Sequence, residues 1–395
     1  MSDVAAVPTQ GSKDRPEVQA DASTWSTGSG RTSSQLGEVG SVGLAPSLRT
    51  RLAAALTLAV LAPFVGEYLL GNVPVQELWA LPILGPLYGG GALLIRELAV
   101  RLRLDALGVL LLGAAYGLIE AGLVDQSLFS PSFEGLEFQA VTPVPLLGIS
   151  AHAALGFVAG HAIFSIGVPI ALTGLLFPAT RNRPLTGPVG LALVVALYAA
   201  GCWLVFREML STEGFMATPM QRLGALAGVL LLVGAALRRE GRDRPAAPPG
   251  YASDRALTGP DETGEQGDHY GYRGTRAWGS AWHPPAPLWV GLLSFLACGL
   301  DMSLPETWTG VALMAAWLAA AGLVVPRFAR HQAWTARHTL ALAAGALLTF
   351  AWVGFVLASI LAPGDVLRHV GNAGFALVAV TLLLGARRRI GRMVG

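Results

Sequence analysis

The chain has 395 residues, of which 53% are hydrophobic and only 13% are charged. Because soluble domains carry about a quarter of their residues as charged side chains, this composition excludes an ordinary soluble fold and predicts a membrane protein. The net charge is +2, and the arginines stand at the ends of apolar runs, so we expect no nucleic-acid partner.

The first 48 residues are rich in Ser, Gly, Thr, Pro and Ala and carry scattered charge. They contain no apolar run of the kind that forms the centre of a signal peptide. We therefore predict a disordered cytoplasmic tail at 1–48.

Apolar runs of about twenty residues recur along the rest of the chain, each long enough to cross ~30 Å of hydrocarbon as a helix. The runs are continuous and lack the alternation of period two that marks a membrane β-barrel. The predicted fold is therefore all-α, a polytopic helical membrane protein of about ten transmembrane helices. The predicted spans are 52–70, 78–97, 106–125, 148–177, 188–206, 222–237, 287–301, 307–325, 338–361 and 367–386.

Arginines concentrate in every second connection between these spans. The arginines of the basic connections and chain ends are Arg49, Arg51, Arg96, Arg101, Arg103, Arg181, Arg183, Arg238, Arg239, Arg242, Arg244, Arg327, Arg330, Arg337, Arg387, Arg388, Arg389 and Arg392. The alternate connections hold only Arg207, Arg222 and Arg368. By the positive-inside rule, this pattern predicts a multi-pass protein of the cell (inner or plasma) membrane with both termini in the cytoplasm.

Two long connections differ in character. Residues 238–286 combine Pro, Gly and balanced charge without apolar periodicity, which predicts a cytoplasmic linker between a six-span membrane part (49–237) and a four-span membrane part (287–395). Residues 126–147 are predicted outside and carry phenylalanines among polar residues. Such a segment can lie in the membrane interface as a lid or as a simple anchor.

Four titratable residues stand out inside the predicted spans one, three and four: Glu67, Glu120, His152 and His161. Burial of a charge at membrane depth is costly, so such residues are functional candidates. Counted from the span boundaries, three of them share an outer layer, and His161 lies one to two helical turns deeper. The two histidines are nine residues apart, on opposite sides of a straight helix, so only a bent helix would turn both towards Glu120.

Glu120 is the strongest of these candidates. Gly113 and Gly117 form a face of small residues on the same span, which predicts that another helix packs closely beside Glu120. We expect the catalytic or proton-carrying residues to be Glu120, His161 and His152.

The second span contains two prolines and four glycines between Leu81 and Ala92. An unwound stretch buried among other spans would offer backbone groups to a ligand or ion, whereas a kinked helix with close packing is the alternative. The predicted ligand- or ion-binding residues are Glu67, Tyr88, Gly89, Gly90, Gly91 and Tyr116.

The stretch from Phe157 to His161 resembles the FxxxH motif of the CPBP glutamate-dependent intramembrane proteases. The resemblance implies a role for Glu120 as the glutamate of the preceding span. The family's other motifs, EExxxR and HxxxN/D, are not matched: Ile119 and Ala121 flank Glu120, and Ser165 follows His161 at four residues. The resemblance covers five positions and does not assign the chain to that family.

The leading functional hypothesis is a transporter or permease of a small solute, with its site in a polar cavity of spans one to four open to the outer face. The alternatives are an intramembrane enzyme with Glu/His chemistry (CPBP-protease-like or lipid-modifying) and a non-catalytic subunit of a membrane complex. Whether the chain is an enzyme is left open by the sequence. No sequence motif predicts a metal site, and the cofactor is unknown. The expected partners are the lipid bilayer and a small-molecule or membrane-borne substrate.

Overall fold

The computed structural model describes residues 45–241 and 283–394. Most of the predicted tail (1–48) and most of the predicted linker (238–286) lie outside the described residues. The described residues from Pro46 onward belong to one compact unit.

Within these residues, nine helices are long and apolar enough to cross a membrane, and a tenth apolar helix has 16 residues. In chain order they are α1 (Leu48–Leu69), α2 (Val75–Arg101), α3 (Ala106–Val124), α4 (Ala151–Leu176), α5 (Pro188–Glu213), α6 (Pro219–Leu237), α7 (Pro287–Met302), α8 (Trp308–Ala329), α9 (Ala336–Leu361) and α10 (Val366–Val394). The helical membrane class is confirmed, whereas the count of ten spans and the side of each terminus stay predictions.

Several helices begin where the sequence supplies a side-chain cap. Ser47, Asp105, Ser150 and Thr218 each accept a hydrogen bond from a backbone amide of the first turn that follows. Such caps satisfy amides that have no partner inside the helix, so the starts of α1, α3, α4 and α6 are set locally.

Helices α1 to α4 each contain one π-helical segment. The segments are Phe64–Leu69, Gly85–Gly89, Glu120–Val124 and His161–Gly167. Proline accompanies three of them, at positions 63, 86 and 169. Because proline lacks an amide proton, it frees a carbonyl of the preceding turn and perturbs the regular α-helical pattern. Of the two alternatives for the second span, the structure shows the kinked helix: residues 81–101 stay helical through the proline- and glycine-rich stretch, and non-helical backbone angles within α2 occur at Glu77.

The two predicted membrane parts share a hydrophobic core. Buried apolar residues of α1, α4, α9 and α10 pack together, among them Val65, Phe164, Leu347, Phe350 and Phe375. The rings of Phe164 and Phe350 stack with their centroids 3.5 Å apart. The last four helices therefore rest directly on the helices that carry the polar candidates.

Buried charges hold the end of the bundle where α2 leads into α3, the predicted cytoplasmic end. Arg96 Nη1 lies 2.8 Å from Glu97 Oε1, and both residues are buried. Glu97 accepts a hydrogen bond from the Leu185 amide at 2.6 Å, while Arg96 donates to the carbonyls of Thr180 and Arg183. The pair thus fixes the connection between α4 and α5.

A second charged group at this end joins distant helices. Asp105, which caps α3, forms ion pairs with Arg239 after α6 and with Arg330 after α8. The six-helix and four-helix parts are therefore tied together by charge at one end as well as by their shared core.

The connection from α3 to α4 is folded. It contains a short antiparallel pair, β1 (Pro143–Val144) and β2 (Ile149–Ser150). Phe129 is buried, and the Phe138 ring packs edge-on against Phe157 with centroids 5.2 Å apart. The connection therefore packs onto the first turns of α4.

Candidate functional site

Four side chains from four successive helices meet inside the bundle, each from its helix's π-helical segment. They are Glu67 (α1), Tyr88 (α2), Glu120 (α3) and His161 (α4), and we call them the four-residue cluster. The Tyr88 hydroxyl lies at its centre, in a short hydrogen bond with Glu67 Oε1, 3.1 Å from Glu120 Oε1 and 3.4 Å from His161 Nε2. Both glutamates and the tyrosine are buried.

His161 and Glu120 form the second contact of the cluster. His161 Nε2 lies 3.0 Å from Glu120 Oε2, while Nδ1 lies 2.7 Å from the carbonyl oxygen of Phe157. A carbonyl only accepts hydrogen bonds, so Nδ1 holds a proton. That leaves Nε2 as the nitrogen that exchanges a proton with Glu120.

The protons needed to hold the cluster together can be counted. The contacts Glu67–Tyr88, Tyr88–Glu120 and Glu120–His161 each join two atoms that bear lone pairs, so each needs one proton between them. The longer contact of 3.4 Å between the Tyr88 hydroxyl and His161 Nε2 needs no further proton, because a proton on Nε2 can be shared between Glu120 and Tyr88. The Tyr88 hydroxyl supplies one, and two more must come from solution. Two carboxylates carry a charge of −2, so these two protons make the cluster electrically neutral. Neutrality is the state that a medium of low dielectric constant favours.

Two further polar groups border the cluster. The Asn72 amide donates to Glu67 Oε2 at 2.8 Å. The Tyr116 hydroxyl is buried without a hydrogen-bond partner, and the Tyr116 ring packs against Tyr88 and His161 with centroid distances of 5.9 and 5.8 Å. An unpartnered buried hydroxyl is costly, and it leaves a free donor beside the cluster.

The π-helical segments coincide with the place where these side chains converge. A π-helical turn contains an extra residue and redirects the side chains that follow, and such turns are frequent at functional sites. Because four of them occur at one level of four neighbouring helices, their convergence is a property of the site and not of a single helix.

Small residues bring α3 against α4. A Cβ atom added to Gly117 would lie 2.8 Å from His161 Cβ, and one added to Gly113 would lie 2.9 Å from Ala162 Cα. The close neighbour that the glycine face predicts is therefore α4. This approach is what brings Glu120 within reach of His161.

Three of the four glycines of α2, namely Gly89, Gly90 and Gly91, serve close packing. A Cβ added to Gly89 would lie 2.3 Å from the Ala59 carbonyl oxygen, and one added to Gly91 would lie 2.5 Å from the Tyr116 ring. Gly90 faces Tyr198 and borders an apolar groove of about 360 Å³ between α1, α2 and α5. The structure thus brings none of the three to the polar atoms of the cluster.

His152 lies apart from the cluster. Its backbone amide donates to the Thr142 hydroxyl at 3.1 Å, and its Nε2 is buried without a partner. In the described part of the chain, no hydrogen bond or ring contact joins His152 to the cluster. The structure therefore groups Glu120, His161, Glu67, Tyr88 and Tyr116 and leaves His152 outside.

Comparison with known proteins adds the family. A family model described as an uncharacterized membrane protein family matches residues 56–259, just over half of the chain. The chain belongs to that family. No curated protein and no solved structure matches it. The match begins within α1 and includes α2 to α6, so it contains all four residues of the cluster but none of the last four helices.

Proposed function

We propose that this membrane protein is a proton-coupled carrier of a small solute and that the four-residue cluster is its proton-binding site. The observation that carries the proposal is the proton count. Three contacts among Glu67, Tyr88, Glu120 and His161 need two protons from solution, and with both protons the cluster is neutral.

The arrangement of the cluster links proton binding to helix position. Each of the four residues stands on a different helix, so a shift of one helix against the others breaks a contact that needs a proton. The number of protons bound then depends on the helix arrangement. A conformational equilibrium that is coupled to binding in this way is what a proton-driven carrier requires.

The solute would bind beside the cluster. Among the described residues, the buried Tyr116 hydroxyl has no hydrogen-bond partner, and the Tyr116 ring packs against Tyr88 and His161 of the cluster. This hydroxyl can bind a polar solute without the loss of an existing hydrogen bond, so we propose Tyr116 as the first contact of the solute.

Replacement of Glu120 tests the proposal. The variant Glu120→Gln keeps the shape of the side chain but cannot exchange a proton. We expect it to fold and to lose proton flux. The flux is measured with a pH-sensitive dye trapped inside sealed vesicles. A pH gradient is imposed across the vesicle membrane, and mixtures of small solutes are then added. The exposed Glu208 on α5 gives the matched control Glu208→Gln, which should keep the flux of the unmodified protein. Full flux in Glu120→Gln would show that the cluster is not the proton site.

The orientation is part of the proposal, with both termini in the cytoplasm of a cell membrane. In a chain whose native Cys202 and Cys298 are replaced, an impermeant thiol reagent should label a Leu146→Cys variant in intact cells and leave Arg181→Cys unlabelled. Both positions are exposed and lie at opposite ends of α4. Labelling of position 181 alone would reverse the orientation.

The second candidate function is an intramembrane enzyme, favoured by one observation. His161 Nε2 lies 3.0 Å from Glu120, and its Nδ1 is held by the Phe157 carbonyl, an arrangement that suits a general acid and base. An enzyme would convert a membrane-borne substrate in detergent solution, where no gradient exists. A carrier would instead move its solute across the membrane of sealed vesicles, so an activity that needs sealed vesicles distinguishes the carrier from the enzyme.

A further inference from the structure

Asn72, which donates a hydrogen bond to Glu67, is held in place by α10, a helix outside the residues that the family model matches. Arg368, in the first turn of α10, donates from Nη2 to the carbonyls of Gly71 and Asn72 at 2.8 and 2.7 Å. The Asn72 amide in turn donates to Glu67 Oε2 at 2.8 Å. One guanidinium therefore fixes the backbone from which the Asn72 side chain reaches the cluster.

The same connection is packed tightly against α9. Gly71 has a φ of +83°, and a Cβ atom there would lie 2.6 Å from the Gly354 carbonyl oxygen. That carbonyl accepts a hydrogen bond from the buried Asn372 amide at 2.7 Å. Because neither glycine carries a side chain, α9 reaches the end of α1 directly. Movement of α9 or α10 must therefore move the backbone that carries Asn72.

A second contact runs from α9 to the other side of the cluster. Phe164, which stacks on Phe350, belongs to the same π-helical segment as His161. The π-helical segments of α1 and α4 therefore both contact the last four helices, which the family match does not include.

We propose that Arg368 is a positioning residue for Glu67, and that the last four helices set the proton binding of the cluster through Asn72. The proposal rests on the proposed function of the cluster as a proton-binding site. The other groups that act on the Glu67 carboxyl are Tyr88, Glu120 and His161. Near Arg368 are Asp365, whose side chain accepts its amide proton, and Glu134 on the connection between α3 and α4.

Infrared titration of the purified full chain in lipid discs tests the proposal. The carboxyl band of Glu67 is assigned as the band that disappears in Glu67→Gln. We expect Asn72→Ala to move the pH midpoint of that band by about one unit, the equivalent of one hydrogen bond to a charged group. Arg368→Gln should move the midpoint in the same direction, and the double variant should move it no further, because both changes remove the same contact.

Two control variants and two contrary outcomes complete the test. Arg368→Lys, which keeps a donor for one carbonyl, should bring the midpoint part of the way back to that of the unmodified protein. Arg222→Gln, at an exposed arginine of α6, should leave the midpoint unchanged. A shift in Asn72→Ala but not in Arg368→Gln would overturn the role of Arg368 while the cluster still binds protons. A chain in which no carboxyl band is lost in Glu67→Gln and none titrates would overturn the proposed function itself.

Discussion

The two buried polar regions of the bundle follow opposite rules. At the end where α2 leads into α3, Glu97 meets Arg96 and Arg101 and accepts further hydrogen bonds from Leu185 and Thr186. Opposite charges are matched there, and each carboxylate oxygen has donors. The four-residue cluster instead places two carboxyl groups with a single histidine, and it borders a tyrosine hydroxyl that has no partner.

This difference indicates different roles for the two regions. A network whose charges are already matched by fixed arginines gains nothing from the uptake or release of a proton, because arginine stays charged. A network with an excess of carboxyl groups reaches neutrality only by binding protons from solution. The first region therefore holds the fold together, and the second is the region for which we propose proton exchange. Substitutions in the first region should lower stability more than activity, whereas substitutions in the four-residue cluster should lower activity more than stability.

The largest effect on stability is expected at Glu97. Glu97→Ala leaves the buried Arg96 without its carboxylate, and removal of one partner of a buried pair costs about 3–5 kcal/mol. We expect a large fall in the thermal midpoint in detergent and a poor yield of folded protein.

The control for Glu97 is Glu208→Ala, at an exposed glutamate of α5, which should stay within about 0.5 kcal/mol of the unmodified protein. Equal stability of Glu97→Ala and Glu208→Ala would contradict the structural role of the inner network. Glu120→Gln should resemble the control in stability, since the amide keeps the shape of the side chain.

An intermediate effect is expected where α3 touches α4. In Gly117→Ala the added methyl group meets His161 Cβ, so the helices must separate, and such overpacking costs about 1–3 kcal/mol. Gly156→Ala on α4 is the matched control, because no atom lies within contact distance of its added Cβ. There the better helix propensity of alanine should stabilise the protein by about 0.5–1 kcal/mol. Equal thermal midpoints for the two variants would show that the helices are not in close contact at Gly117.

Much of this organisation could be predicted from the sequence. Apolar run lengths indicate the helical membrane class and the approximate ends of the helices, because these depend on composition alone. The glycine face of α3 indicates a close neighbour for the same reason. Glu67, Glu120 and His161 stand out because a titratable residue inside an apolar run is visible without any structure.

The remaining features depend on information that span prediction lacks. Three of the π-helical segments have a proline close by, but a proline indicates only a perturbed helix, so the sequence left open whether α2 unwinds or kinks. Arg96 and Glu97 stand at the end of a predicted span, where nothing in the sequence indicates that the fold buries both. Asn72 and Arg368 are ordinary polar residues of connections in the sequence. The hydrogen bonds from Arg368 to Asn72 and from Asn72 to Glu67 form because the last helix packs against the end of the first.

The smallest effect on stability is expected at Tyr116. Its buried hydroxyl has no partner, so Tyr116→Phe removes a desolvated group without the loss of a hydrogen bond. The free energy of unfolding should therefore stay level or rise by up to about 1 kcal/mol. If the hydroxyl binds the solute, the same change should weaken solute binding about tenfold, the equivalent of one hydrogen bond.

Tyr68 gives the opposite case and the matched control. Its buried hydroxyl donates to the Glu77 carbonyl at 3.1 Å, so Tyr68→Phe should lower the free energy of unfolding by about 1 kcal/mol and leave the solute affinity unchanged. Unfolding in denaturant and the solute dependence of the vesicle flux measure the two quantities. If Tyr116→Phe were destabilising to the same extent and had no effect on solute affinity, the hydroxyl would have a structural partner, and the solute site beside the cluster would have to lie elsewhere.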